Sequence, residues 1–327
     1  MRFPLGRLDT YTQSMEQGET PQVLKVVLFG GSGLVGNGIM SAFSSAKRLP
    51  ESQIVAPRSS QIDLENMEAL QEFLEVERPD CVIMAAGRVG GIAFNIGSQV
   101  EQYRSNLLMN FNLIEVCARL GIQKLLLISS SCIYPMDASV PLQEEHLFDG
   151  LPHPTNEGYA AAKSVAIRHL LIYKRQLALD WMVLIPTNVY GVRDETGTQG
   201  HVIPQLVTKF MDAKLKKTGT VEIWGDGSPI REFLFNEDLG RAVLELCHRP
   251  APADLVNVSS GEPISIRMLA EKISEQIGYE GEIVFDSSKP NGHPNKSMDG
   301  SRLRDFGWKP NINLDKGLEL VISSRQL

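Results

Sequence analysis

The stretch Val23–Gly36, VLKVVLFGGSGLVG, decides the fold. Apart from Lys25, its first half is one continuous β-branched and aliphatic run, as expected of a strand buried on both faces of a parallel sheet. The run passes directly into Gly30, Gly33 and Gly36, spaced GxxGxxG, and then into a helix-compatible stretch to about Ala46. Glycines between a strand and a helix let the backbone turn tightly and come close to a pyrophosphate, which rests on the helix N-terminus. Gly30, Gly31, Ser32, Gly33, Leu34, Val35 and Gly36 are therefore expected to cradle a dinucleotide.

The same pattern continues outward. Short apolar runs at QIVAP (53–57), DCVIMAA (80–86), KLLLISS (124–130) and WMVLIP (181–186) read as further strands. Helical stretches around Met67–Glu77, Glu101–Leu120 and Tyr159–Leu179 separate them. Alternating strands and helices predict an α/β fold, a Rossmann-type doubly wound parallel sheet with its ligand at the carboxyl ends of the strands. Past Pro186, turn-rich pieces alternate with short helices, which reads as a smaller, interleaved α/β substrate-binding lobe. The expected organisation is a polar extension over 1–22 and a nucleotide domain over 23–187, to which 234–261 return. Residues 188–233 and 262–327 are expected to build the lobe.

Composition excludes several classes. The chain has 327 residues, a formal net charge of −7 and 43% hydrophobic residues, an ordinary globular balance. No apolar run approaches the ~20 residues of a membrane helix, and the acidic balance argues against a broad nucleic-acid surface. Four cysteines without CxxC spacing fit a reduced, cytoplasmic protein better than a disulfide scaffold, and no residues are assigned to a metal.

The end of the second strand selects the cofactor. An acid there suits the ribose hydroxyl of NAD, whereas an Arg suits the 2′-phosphate of NADP. The sequence offers Arg58 and no carboxylate before Asp63, which favours NADP, with Asp63 and Leu64 as candidate neighbours of the adenine. Tyr159 and Lys163 stand four apart on one helix face, and Ser130 ends a strand. These are the parts of a carbonyl reductase. Ser130 holds the substrate oxygen, Tyr159 donates a proton, and Lys163 is expected to lower the Tyr pKa from its usual ~10.

The chain resembles the extended short-chain dehydrogenase/reductases, and within them the GDP-L-fucose synthase group. The resemblance runs from Val26 to about Pro310. It is carried by GGSGLVG (30–36), AAGRVGGI (85–92), SSSCIYP (129–135), NEGYAAAK (156–163), PTNVYG (186–191), GHVIPQL (200–206), WGDGSPIREFL (224–234) and KPNGHP (289–294). It implies an NADPH-dependent 3,5-epimerase-4-reductase acting on GDP-4-keto-6-deoxy-mannose, with Cys132 as base and His201 as acid. A thiol and an imidazole both titrate close enough to neutrality for such work. It also implies that Ala85, Ala86, Ile128, Ser129, Ser131, Pro186, Thr187, Asn188, Val189 and His201 line the cofactor together with Ser130, Tyr159 and Lys163. Asn188, Lys209, Trp224, Arg231, Asn291 and Lys296 would receive the GDP-sugar, and the protein would be a homodimer.

Departures lie around the sugar pocket. Asn291 stands where the group often has Asp, Asn295 replaces a basic residue, and Asp194, Glu195 and Thr196 form a shortened loop. One alternative is therefore a 4-reductase, or a reductase with a single epimerisation, on another GDP-4-keto sugar such as a dideoxy sugar or heptose. A dehydratase is disfavoured, because Ser131 and Cys132 occupy the places of its acidic pair. A non-enzymatic NADP sensor is disfavoured by retention of both Tyr159 and Lys163.

Overall fold

Six parallel strands form the central sheet, in the order Leu255–Val258, Asp180–Pro186, Lys124–Ile128, Cys81–Met84, Leu24–Phe29, Ser52–Val55. The computed structural model describes residues 24–46, 52–90, 96–192, 194, 201–289 and 291–325. The expected extension over 1–22, and Glu195 and Thr196, lie outside the described residues. In chain order the main elements begin with β1 (Leu24–Phe29), α1 (Leu34–Ser45), β2 (Ser52–Val55), α2 (Met67–Glu77), β3 (Cys81–Met84) and α3 (Gln99–Arg119). They continue with β4 (Lys124–Ile128), α4 (Glu157–Leu177), β5 (Asp180–Pro186), β6 (Asn188–Tyr190), α5 (Val202–Lys216), β7 (Thr220–Trp224), β8 (Ile230–Arg231) and β9 (Phe233–Phe235). The last are α6 (Asn236–His248), β10 (Leu255–Val258), β11 (Ile264–Ser265), α7 (Ile266–Ile277), β12 (Glu282–Asp286), α8 (Ser301–Asp305) and α9 (Leu314–Ser324).

The strands are apolar throughout because both sheet faces are covered. Val27, Phe29, Val82, Met84, Leu125, Leu127, Trp181 and Val183 face α2, α3 and α4, while the alternate residues Val26, Leu28, Ile83, Leu126, Met182 and Leu184 face α1 and α6. Helix α4 begins two residues before the expected Tyr159 and stops at Leu177, where Ala178 turns into the left-handed region (φ 53).

The smaller lobe has its own core, built from Ile203, Val207 and Phe210 of α5, Leu269 and Ile273 of α7, and Leu318 and Val321 of α9. The pairs β7–β12, β8–β11 and β6–β9 stitch it together. Leu303 and Trp308, in the stretch expected to belong to the lobe, pack instead with α6 against the central sheet. Among the described residues no helix is long and apolar enough to cross a membrane.

Candidate active site

Strand order reverses at β1, which has β2 on one side and β3 on the other, the place where doubly wound sheets form a ligand crevice at their carboxyl ends. Gly30 takes φ +88, and a Cβ on it would lie 2.5 Å from the Ala86 nitrogen. A Cβ on Gly36 would lie 2.1 Å from the Gly30 oxygen, so the loop closes against the first turn of α1 only with glycine at both places. Gly33 caps α1 without a side-chain hydrogen bond, which leaves the first-turn N–H groups facing the crevice. This cradle fits a dinucleotide pyrophosphate. Arg58 is exposed just beyond β2, while the Asp63 carboxylate accepts from the Glu65 N–H (2.9 Å), so the nearest acid is occupied locally. That arrangement suits a ribose 2′-phosphate. Leu64 packs into the core and its carbonyl accepts from the buried Asn112 amide, 3.0 Å.

The turn after β4 presents the reacting groups. Ser130 caps a short 3₁₀ turn over Ser131–Ile133, and its hydroxyl oxygen accepts from the Cys132 N–H at 3.3 Å. The hydroxyl proton remains to be donated. Two residues beyond Cys132, the Tyr134 hydroxyl donates to Asn257 (2.6 Å), whose backbone N–H donates to Glu144 (2.7 Å), a buried network that anchors the turn to β10. Ser129 is buried with an unpartnered hydroxyl.

Tyr159 and Lys163 are both buried on α4. Burial, followed by the neighbouring Cys132, pushes the Tyr159 phenol above its ordinary range. The Lys163 ammonium donates to the Ile128 carbonyl at 3.0 Å and is itself lowered to about 8 by burial. The wholly buried Asn106, not anticipated from the sequence, holds the loop beside Lys163, accepting from the Arg88 N–H (3.0 Å) and donating to its carbonyl (2.9 Å).

Around Cys132 several distant segments converge. The Asn156 amide lies 3.6 Å and the Lys296 ammonium 3.8 Å from Sγ, both as donors. Arg231 is close enough to feel the Cys132 charge, which partly offsets the lowering of its guanidinium by burial. The chain at 294–296 runs beside β8, with the Ile230 N–H donating to the Pro294 carbonyl (2.8 Å) and the Lys296 N–H to the Ile230 carbonyl (3.1 Å). The rim continues to β7. Asn291 accepts from the Asp226 N–H at 2.8 Å, beside Gly225 and Trp224. Trp224 is 62% exposed, with the Lys289 ammonium 5.9 Å above its ring.

Lys209 is exposed on α5 and donates to the Glu222 carbonyl of β7 at 3.0 Å, on the Trp224 side of the rim. Asn188 and Thr187, after Pro186, donate to the Glu232 carbonyl (2.8 and 3.0 Å), and Val189 packs against the α6 side of the sheet. The buried Glu232 carboxylate takes the Ser259 hydroxyl (2.5 Å) and the Met298 N–H (2.8 Å). His201 occupies the N-cap of α5, its ring 3.1 Å from the buried Asp194. Ser130, Cys132, Tyr159, Lys163, Arg231 and Lys296 thus form one cluster, with Trp224, Lys209 and Asn291 along its rim.

A glycine cradle at the strand switch point, beside a buried Tyr–Lys pair and a strand-end serine, defines a Rossmann-type nucleotide-dependent enzyme of sugar or carbonyl chemistry. Residues 26–259 match the NAD dependent epimerase/dehydratase family, and the chain belongs to it. It is 38% identical to the GDP-L-fucose synthase of Sinorhizobium fredii (strain NBRC 101917 / NGR234), covering 90% of this chain and 93% of that one. It is 33% identical to the GDP-L-colitose synthase of Yersinia pseudotuberculosis, covering 90% and 96%. Among solved structures it resembles a GDP-L-fucose synthetase from Naegleria fowleri bound to NADP, with TM-score 0.84, 26% identity and 94% of each chain covered.

Proposed function

We propose that this protein is an NADPH-dependent 3,5-epimerase-4-reductase that converts GDP-4-keto-6-deoxy-D-mannose to GDP-L-fucose. The observation that carries this reading is the convergence of Cys132 with Tyr159, Arg231 and Lys296. One pocket then holds a carbon-acid base, a proton donor and cations for a diphosphate.

Bound NADPH supplies the hydride. Arg231 and Lys296 bind the diphosphate, and Trp224 covers the nucleotide end. Ser130 and Tyr159 hold the C4 ketone oxygen, which acidifies the hydrogens on C3 and C5. Cys132 removes each proton from one face and His201, oriented by Asp194, returns one to the other. Burial keeps the Tyr159 phenol protonated, the form needed to donate to the C4 oxygen as it becomes an alcohol. Lys163 holds the ribose of the cofactor.

All four cysteines are free thiols, consistent with a cytoplasmic enzyme. Tyr103 and Phe111 on α3 and Val165 and Ile172 on α4 are exposed, and we read these two helices as a homodimer interface.

The test is the product mass after reaction with NADPH in D₂O and return to H₂O. Two carbon-bound deuteriums with NADPH consumed support the reading, and reduction without deuterium removes Cys132 and His201 from it. A single deuterium would support the second reading, one epimerisation on a related GDP-4-keto sugar, which Asn291 and the colitose-synthase relative favour.

A further inference from the structure

His201 stands at the N-cap of α5, but its ring does not serve as the cap. Its Nδ1 atom lies instead 3.1 Å from Oδ1 of Asp194, whose side chain is buried. A carboxylate can only accept, so Nδ1 carries the proton of that bond. The Asp194 N–H donates to the Gly191 carbonyl, just after β6, at 3.2 Å. The second carboxylate oxygen, Oδ2, is buried with no hydrogen-bond partner among the described residues. Such a buried anion is costly unless a positive charge lies close by.

Arg325, the residue after α9, brings that charge. Its Nη2 donates to the Asp194 carbonyl at 3.3 Å, and its Nη1 donates to the Pro204 carbonyl (3.1 Å) and the Thr208 hydroxyl (2.9 Å). Pro204 and Thr208 lie in the first two turns of α5, the helix that His201 opens. The rigid fork of one guanidinium therefore ties the backbone that carries Asp194 to the helix start that carries His201. Arg325 is half-buried and is fixed from its own side as well. Its N–H donates to the Ile322 carbonyl (3.1 Å), and Leu318, Val321 and Ile322 of α9 share one core with Ile203, Leu206 and Val207 of α5. Electrostatics agrees with the geometry, since burial lowers the Arg325 guanidinium and the Asp194 charge acts against that lowering.

We propose that Arg325 is a positioning residue for the epimerisation, holding Asp194 against the start of α5 so that the His201 ring is kept in place to return a proton to the sugar carbon. The inference rests on the GDP-sugar reading, with His201 as the acid. Its consequence is a partition of the reaction rather than a general loss. When Cys132 takes a proton, a C–H bond breaks and an S–H bond forms. With His201 displaced, that S–H exchanges with D₂O and the sulfur returns a deuteron to the face it came from. The carbon is then labelled without being inverted. An Arg325 that merely fastened α9 to α5 would affect stability and leave this partition unchanged.

The partition is read at early times in D₂O with GDP-4-keto-6-deoxy-mannose and no NADPH, counting deuterium by mass and inverted carbons by proton NMR. Arg325→Met is expected to lower inversion per deuterium by about tenfold, the scale of a misplaced catalytic group, while the exchange rate and NADPH binding stay near wild type. Asp194→Asn should show the same split. The double variant should lose no more than the larger single loss, because both residues act through one carboxylate. Arg325→Gln, shorter and uncharged, should split the reaction too, and it carries the test if the Met variant does not fold. Inversion in step with deuterium in the folded Arg325 variant, or losses that multiply in the double variant, overturns the proposal alone when His201→Asn does lose inversion. Inversion kept in His201→Asn removes His201 as the acid, and the proposal with it. Wild-type protein that binds NADPH but neither labels nor inverts this sugar overturns the GDP-sugar reading as well.

Discussion

Lys296 and Cys132, separated by 164 positions in the chain, bring ammonium and sulfur to within 3.8 Å of each other. The contact exists because 294–296 pair with β8, and it places a cation beside the sulfur proposed as the carbon-acid base. Lys296→Met is expected to slow deuterium exchange at the substrate carbons by about tenfold or more, the usual weight of a close charge. Because Lys296 is also proposed to hold the diphosphate, both rates are compared at saturating substrate, where reduction of a substrate that is already epimerised should fall much less. The check is to follow exchange by mass and NADPH consumption by absorbance in the same reaction.

Arg58 stands exposed beyond β2, and the next acid along the chain, Asp63, accepts from the Glu65 N–H. Removing a charge-assisted contact to phosphate costs about 1.5–3 kcal/mol, so Arg58→Ala should weaken NADPH binding by roughly 10- to 100-fold. NADH, which lacks that phosphate, should bind as before. Fluorescence titration with both cofactors decides it, and equal losses for the two would assign Arg58 a purely structural part.

Lys163 gives a pH signature. Burial lowers its ammonium to about 8, below the unfolded value of ~10.4. Between those values the unfolded chain holds the extra proton, so this residue costs stability below about pH 8 and returns it as pH rises. Lys163→Met should therefore melt a few degrees above the wild type at pH 7, with the lead shrinking toward pH 10, even though its activity is lost. Thermal denaturation of both cofactor-free proteins across that range is the measurement.

Phe111 stacks on His169 at 4.9 Å between α3 and α4, yet the residue remains 43% exposed. Ile172, also exposed, lies on α4. Substituting Ile172 by Asp puts a charge into the proposed dimer face and should yield monomers by light scattering, with cofactor binding unchanged. A wild-type monomer would remove the interface altogether.

Legibility from sequence followed burial. The central strands were readable because both their faces are covered, which leaves continuous apolar runs, and α2 falls on the expected Met67–Glu77. The glycine cradle was readable because steric demand at Gly30 and Gly36 leaves little choice of residue. Helix α4 was readable in its core but not at its ends, where Ala178 terminates it against propensity.

What the sequence did not yield depends on distant chain segments meeting. Asn156 sits in a motif that was noticed for its Tyr and Lys, and nothing local says that its amide reaches Cys132. His153 and His293 are 140 residues apart in the chain, and only the fold brings them within electrostatic range of each other. The immediate partner of Lys163 was hidden for a related reason. Spacing puts both on one helix face, but only the fold shows that the ammonium is directed to the Ile128 carbonyl.

Glu232 receives hydrogen bonds from both halves of the molecule: Thr187 and Asn188 on its carbonyl, Ser259 and Met298 on its carboxylate. The wall expected to face the cofactor and the wall facing the sugar are thus surveyed from a single benchmark. Tilting the smaller lobe would strain several of these buried bonds together, at about 1–3 kcal/mol for each one broken. Side chains along 291–296 can change while this frame stays in register, which would let substrate range drift without disturbing the line along which hydride travels.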